Sequence, residues 1–388
     1  MKKLAIVSTH PIQYNAPWFA LLNDVSAIRL KVFYTWEQSK DGKKFDKGFQ
    51  RQIEWDIPLL EGYEYCFVKN IATKPGTHHF NGLINPSLNM EIEDWGAEVI
   101  LIFGWSFHSH LKCMRYFHGK KKILFRGDST LLDEKGILKF LIRKFFLKWV
   151  YSHIDVALYV GANNKNYFVK NGLKQAQLVY TPHAVDNLRF QQHAIRLAEN
   201  ARQIRENIGF LNDDLVLLFA GKLEKKKNPQ LLIHLMHNIK NKKLKLLIVG
   251  NGEIEQLLKE MSANDSRIMF LDFQNQQVMP VIYRVADIFI LPSLGPGETW
   301  GLALNEAMAC GKPVVATNKV GGAVDLIQNN INGLIIENGN TSELEELIQK
   351  SLTDISGLLK MGKESEKKIS NFSFIKIVSA INREVEMS

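Results

Sequence analysis

Residues 287–322, DIFILPSLGPGETWGLALNEAMACGKPVVATNKVGG, constrain the fold of this chain more than any other stretch. The apolar run from Ile288 to Leu291 ends at Pro292-Ser293, a pattern suited to a buried strand of a parallel sheet. Gly295-Pro296-Gly297 forms a turn, and Glu298 stands at the mouth of a helix. That helix is expected from about Trp300 to Cys310, stopped by Gly311 with Lys312-Pro313 beyond. Val314 to Thr317 reads as the next strand. The unit therefore presents a carboxylate on its turn and unpaired backbone N–H groups at its helix N-terminus. Glu298 and Glu306 stand eight positions apart, about two helical turns, so they are expected to share one face and to reach one ligand. Two solvated helix positions are the plainer alternative. Glu306 fits that poorly, because its neighbours are mostly apolar and unpaired carboxylates are rare in such surroundings.

The same alternation runs through the rest of the 388 residues, in two series. The first has strands at Leu4 to Ser8, Ile28 to Tyr34, Tyr63 to Val68, Val99 to Phe103, Lys121 to Phe125 and Ile154 to Val160. Polar sequence at 184–212 interrupts it, and the series restarts with Leu215 to Ala220, Leu244 to Val249 and Ile268 to Leu271. Two doubly wound, Rossmann-like α/β domains facing a central cleft are expected. Residues 1–190 would form an N-terminal domain and 191–371 a C-terminal domain. The final helix, 372–388, is expected to pack back on the first domain. Residues 35–60 are polar and without clear period, and read as a long excursion over the acceptor site.

Open α/β sheets bind ligands in the loops at strand C-terminal ends, which selects candidates in both halves. After the first strand come His10, Gln13, Tyr14 and Asn15, with no G-x-G-x-x-G to favour a nicotinamide dinucleotide. After the strand ending at Phe125 comes Arg126-Gly127-Asp128-Ser129; Asp128 is either an active-site carboxylate or a cap, both being common there. In the second half, Lys222 and Lys227 follow Phe219-Ala220-Gly221, and Gly250-Asn251-Gly252 follows Val249.

Charge is uneven. The net +9 lies in residues 1–190, with 26 Lys/Arg against 17 Asp/Glu, and 101–150 alone hold 11 basic and 3 acidic residues. A patch of this kind suits an anionic partner. Residues 135–151, KGILKFLIRKFFLKWVY, read as a basic helix whose Leu138, Leu141, Ile142, Phe145, Phe146 and Trp149 form one apolar arc, expected to pack in the core. Phe140 and Leu147 fall off that arc among the lysines, as on a helix lying in an anionic lipid interface. Three isolated cysteines argue for a reducing compartment and against a disulfide framework or a zinc site. No stretch has the length of a membrane span, and the N-terminus is too briefly apolar for a signal peptide. A cytoplasmic protein, peripheral at the inner membrane face, is expected.

Residues 155–350 resemble a family-4 glycosyltransferase of the GT-B fold. The likeness rests on Glu298 to Glu306, similar to the family's E-x7-E region, with the following AMACGKPVVAT run. It rests also on Phe219 through Pro229, with Lys222 where an arginine is usual, and on Pro182 to Phe190, with His183-Ala184 replacing Asn-Gly. The N-terminal HPIQYNAP resembles members linked to bacterial surface-polysaccharide and lipopolysaccharide assembly. The resemblance implies a retaining transfer from a UDP-, GDP- or other nucleoside-diphosphate sugar, without a metal or other cofactor, to a glycan or lipid-linked acceptor. Lys222 and Lys227 would stabilise the leaving diphosphate together with the backbone of Thr299, Trp300, Gly301 and Leu302. Glu306 would bind the ribose hydroxyls and Glu298 those of the sugar, as a positioning group rather than a nucleophile. Gly250 and the loop from Phe273 would border the nucleotide. His10 and Asp128 stand where the family has a Gly-rich loop and a cleft histidine. Rival readings are a sugar-nucleotide epimerase, a phosphorylase or a non-catalytic nucleotide-sugar-binding protein. Nucleic acid would account for the charge but not for these motifs.

Overall fold

Two runs of parallel strands account for the architecture of the computed structural model. It describes residues 1–37, 43–46, 48–133 and 137–388, and leaves the side chains of 43–44 and 137–141 undescribed. The strands of the first half are β1 (Lys2–Ser8), β2 (Ile28–Tyr34), β3 (Lys43–Asp46), β4 (Arg51–Glu54), β5 (Glu64–Phe67), β6 (Val99–Phe103), β7 (Lys122–Arg126), β8 (Val156–Tyr159) and β9 (Leu178–Tyr180). β3 and β4 pair with each other, and the others form one sheet in the order β5-β2-β1-β6-β7-β8-β9. Its helices are α1 (Ala16–Val25), α2 (Leu88–Trp95), α3 (His108–Phe117), α4 (Ile137–Tyr151) and α5 (Ala162–Lys170).

The second half carries α6 (Asn187–Gln191) and α7 (Ala194–Asn207), then β10 (Leu215–Ala220), α8 (Gln230–Asn238), β11 (Leu244–Val249), α9 (Glu255–Ser262) and β12 (Ile268–Leu271). It continues through α10 (Met279–Val285), β13 (Ile288–Leu291), α11 (Leu302–Ala309), β14 (Val314–Thr317), α12 (Ala323–Leu326) and β15 (Gly333–Ile336). Helices α13 (Ser342–Thr353), α14 (Ser356–Ile369) and α15 (Phe374–Glu386) end the chain. The sheet order is β12-β11-β10-β13-β14-β15, with Leu217 in register with Leu246 on one side and Ile288 on the other. The central strands β6, β10 and β13 are apolar throughout, as expected where both faces of a parallel sheet are covered. β10 is buried along its whole length.

The chain divides into two compact units. Unit 1 comprises Met1–Lys44, Ile57–His183 and Phe374–Ser388; unit 2 comprises Phe45–Asp56 and Ala184–Ser373. The division falls after His183, where the sequence suggested 190, because Phe190 is fully buried and α6 packs on α11. The excursion expected over an acceptor site is likewise split, and its Phe45–Asp56 part groups with unit 2. Among the described residues no helix is long and apolar enough to cross a membrane.

The basic helix α4 overturns one expectation. Ile142, Phe145, Phe146 and Trp149 are 65%, 74%, 41% and 41% exposed, whereas Leu147, Val150 and Tyr151 are buried. The helix carries two apolar stripes, and the one packed beside Ile123, Phe125 and Phe168 is that of Leu147 and Val150. The expected start of this helix at 135, and the side chains of Leu138, Phe140 and Leu141, lie outside the described residues.

Candidate functional site

Strand order fixes where each unit can bind a ligand. In unit 2, β10 lies between β11 and β13, so the connections leaving β10 and β13 run to opposite sides and open a crevice at their C-terminal ends. The loops there are Gly221–Pro229 and Pro292–Gly301, which hold Lys222, Lys227 and Glu298. Lys227 Nζ forms an ion pair with Glu298 Oε2, their side chains 20% and 10% exposed. Ser293 Oγ donates to the same carboxylate oxygen at 3.1 Å. Ser293 itself is buried, held where β13 ends by the hydroxyl of Thr317, which donates to its carbonyl.

Lys222 is engaged separately. Its ammonium lies 2.8 Å from Asp46 Oδ1 and over the ring of Phe49. Burial works to raise the Asp46 pKa, but the hydrogen bond and charge of Lys222, with the N–H groups of Phe49 and Gly48, hold it below its ordinary value. The segment expected to cover an acceptor site therefore meets Lys222 and Phe273, which were expected to border a nucleotide. Phe49 and Trp55 meet the ring of Phe273 edge-on at 4.8 and 6.1 Å, and Arg51 lies above it at 5.7 Å. Arg51 also donates to Asn251 at 2.9 Å, and Asn251 accepts from the Phe273 N–H at 2.9 Å. Sequence reading missed Asp46 and Arg51, since nothing in a polar stretch without period tells which neighbour it will meet.

Glu298 and Glu306 do not share a helix face. α11 begins at Leu302, because Gly301 caps it in the left-handed region at φ 94°. A Cβ at Gly301 would come within 2.7 Å of Val320, so only glycine fits this cap. Glu298 thus belongs to the turn, its carbonyl accepting from the Gly321 N–H at 2.9 Å. Glu306 lies inside the helix, 3% exposed, and accepts a 2.7 Å hydrogen bond from Tyr283 of α10. The Trp300 side chain is also placed by packing: it is 4% exposed and donates to Asn305 at 2.8 Å, so its indole is a core group and only its backbone faces the turn. Leu302 and the residue after it begin the helix, where N–H groups have no acceptor within the helix. Gly250 lets two loops meet, since a Cβ there would lie 2.0 Å from the Gly221 carbonyl oxygen.

In unit 1 the equivalent switch point lies between β2, β1 and β6. His10 follows β1; Thr9 Oγ1 lies 2.9 Å from its Nδ1, and its ring meets Trp36 edge-on at 5.5 Å. Asp128 follows β7, separated in the sheet from β1 by β6. Its carboxylate lies 3.8 Å from His183 Nε2. Burial pulls the His183 pKa down, Asp128 opposes this and Arg126 adds to it, and the net result is lowered. Arg126 is buried, donating to Thr181 and Pro182, and burial brings its pKa down to about 10. Nothing in the sequence pointed to the Asp128–His183 pair, although both residues were visible as departures from a motif.

Residues 200–368 match the family model described as Glycosyl transferases group 1. An uncharacterized glycosyltransferase of Methanocaldococcus jannaschii is 30% identical over 160 residues, 40% of each chain. The D-inositol 3-phosphate glycosyltransferase of Corynebacterium efficiens is 30% identical over 181 residues, 44% of this chain and 42% of that protein. The matched stretch thus spans about two fifths of the length of either relative. The crystal structure of Anabaena HepE in complex with UDP is similar over 100% of both chains, with a TM-score of 0.75 at 16% identity. Two Rossmann-like units with parallel sheets, matched over their full length, define the fold as GT-B.

Proposed function

We propose that this chain is a glycosyltransferase that moves a sugar from a nucleoside-diphosphate sugar to a glycan or lipid-linked acceptor, with retention at the anomeric carbon, in cell-surface polysaccharide synthesis. The observation that carries this reading is the Lys227–Glu298 ion pair, with Ser293, at the switch point of the unit 2 sheet. As the glycosidic C–O bond breaks, its electron pair passes to a phosphate oxygen, and that charge must be met by groups already in place. Lys227 is a cation of the right kind, held by a carboxylate until a diphosphate competes for it. Lys222 is held by Asp46 in the same way. The first N–H groups of α11 add donors and a favourable dipole. Once Lys227 turns to phosphate, Glu298 is available to accept from the sugar hydroxyls and so to position the donor.

Similarity to HepE, whose structures contain UDP and UDP-glucose, supports a nucleotide-sugar donor. We assign no metal to the phosphates, since two lysines supply the countercharge. The Asp128–His183 pair, with its imidazole neutral near pH 7, is suited to orient an acceptor hydroxyl. A lipid-linked acceptor would bring the protein to the inner membrane face, and the exposed arc of α4 among Arg143, Lys144 and Lys148 supports that placement.

The test is transfer from UDP-, GDP- and ADP-sugars after thermal-shift screening, with the product's anomeric configuration read by NMR and a parallel reaction in EDTA. Lys227→Ala should lower turnover about 100-fold, as loss of one charge-stabilising donor commonly does. Unchanged turnover and donor affinity in that variant would remove the site assignment. Release of sugar phosphate on addition of free phosphate would instead identify a phosphorylase.

A further inference from the structure

At the edge of the unit 2 sheet opposite the Lys227–Glu298 site, a second cluster of cations surrounds a cavity of about 430 Å³. Three of them come from separate elements: Arg205 from the last turn of α7, Arg284 from α10, and Lys312, two residues before β14. Arg284 is fixed by the protein. It donates to the Pro280 carbonyl at 2.8 Å, to Cys310 Sγ at 3.2 Å and to the Phe190 carbonyl at 2.7 Å. Arg205 donates from one terminal nitrogen to the Asp214 carbonyl at 2.7 Å and to Asp287 at 3.2 Å, while its Nε is buried without a partner. The Lys312 side chain makes no hydrogen bond or ion pair among the described residues, although the residue is partly buried and lines the cavity with the two arginines.

This arrangement is costly as it stands. Burial lowers the Lys312 pKa; Arg284 and Arg205 push the same way, and Asp287 and Cys310 oppose them. The buried Arg205 Nε–H without an acceptor loses a hydrogen bond that water would supply. Arg205, Arg284 and Lys312 outnumber Asp287 by two charges. Asp287 pairs with Arg205 behind the lining, and the lining carboxylate, Glu366, is exposed and can turn to solvent; the lining Arg202 already pairs with Glu199 at 2.9 Å and Glu206 at 3.8 Å. An excess of two positive charges matches a phosphoryl group, which carries roughly −1.5 to −2 near pH 7 and offers three acceptor oxygens. Arginine forks suit such oxygens, and lysine adds a point charge. The cavity is larger than a bare phosphate needs and falls within the usual range for small-molecule sites.

We propose that the cavity between α7, α10 and the start of β14 is a binding site for a phosphoryl group, either free phosphate or that of a small phosphorylated metabolite. Lys312 is the residue whose charge the ligand completes. The site lies at the N-terminal ends of β13 and β14, whereas the proposed donor site lies at the C-terminal ends of β10 and β13. Its occupancy is therefore separable from donor binding.

The experiment is calorimetric titration of the full chain with inorganic phosphate, and separately with glucose 6-phosphate, at constant ionic strength made up with chloride. Lys312→Met should weaken binding about tenfold or more, the value of a charge-assisted hydrogen bond, whereas Lys312→Arg should retain most of it. Lys227→Ala, which alters the proposed donor site, should leave this binding in place. Tighter binding of glucose 6-phosphate than of phosphate would identify a phosphorylated metabolite as the ligand, and equal binding would identify phosphate itself. Absence of phosphate binding in the wild type, equal affinity in Lys312→Met, or loss of binding in Lys227→Ala alone would each overturn the proposal. Because Lys312 holds no protein partner, Lys312→Met should keep the wild-type unfolding temperature, and Lys312→Arg gives a second, charge-retaining check.

Discussion

Glu306 has one observed role, in packing, and one proposed role, in nucleotide binding, and substitution can separate them. Its carboxylate is buried in α11 and accepts from the Tyr283 hydroxyl, itself in a side chain 1% exposed. Glu306→Ala would leave that hydroxyl without its acceptor, a loss of about 1–3 kcal/mol for a buried polar group. Glu306→Gln keeps an acceptor for Tyr283 and removes only the charge. The two variants should therefore differ in chemical denaturation, Ala clearly below wild type and Gln near it. If the carboxylate also binds ribose hydroxyls, both should weaken nucleotide binding in a thermal-shift titration. Wild-type nucleotide affinity in Glu306→Gln would reduce Glu306 to a packing residue. The apolar sequence around Glu306 already signalled that it needed a partner, but not that the partner would be a tyrosine one helix away.

The strands were largely legible because full burial on both faces leaves continuous apolar runs, as at β6, β10 and β13, while β2 shows alternation instead. Helix detail was harder to read. The start of α11 is set by Gly301 at φ 94°, and a single glycine in a Gly-rich turn does not announce which of several will take the cap. α4 shows the same difficulty in packing: periodicity finds apolar stripes, but a helix with two of them does not reveal which one the sheet will cover. The consequence is measurable. Phe145→Ser and Trp149→Ser change exposed positions and should shift stability by no more than about 0.5 kcal/mol. Leu147→Ala opens a cavity under a fully buried side chain and should cost about 2–5 kcal/mol. If the exposed arc inserts into lipid, the two exposed substitutions should also reduce sedimentation with anionic vesicles, more so at low salt. Wild-type sedimentation by the double variant, or no vesicle binding by the native chain at any salt concentration, would remove the membrane role and leave the enzyme reading untouched.

The two units should respond differently to acid, because their histidines are placed differently. In unit 1, His110 of α3 is fully buried at the ends of three adjacent strands. Its Nδ1 lies 2.8 Å from the Phe103 carbonyl, which can only accept, so Nδ1 carries the proton. Its Nε2, 3.0 Å from Thr35 Oγ1, is then the acceptor. Burial brings the His110 pKa down to about 4 from 6.5, the Phe103 and Gly104 carbonyls opposing only in part. Between those two values the unfolded chain binds the proton and the folded unit does not, so stability falls as pH falls from 6.5 to 4 and is unaffected above 6.5. The full loss is on the order of 3 kcal/mol, and the lowered pKa of His183 acts in the same direction. In unit 2, His193, His234 and His237 are all exposed, and none is a buried imidazole like His110. Hydrogen exchange corrected for intrinsic rates should therefore show β1 and β6 losing protection between pH 6.5 and 4.5 while β10 and β13 retain theirs. His110→Gln should flatten that dependence even if it lowers stability at neutral pH, since it removes the proton-binding group. Loss of protection in β10 and β13 first, or an unchanged pH slope in the variant, would show that acid acts on this molecule through other groups.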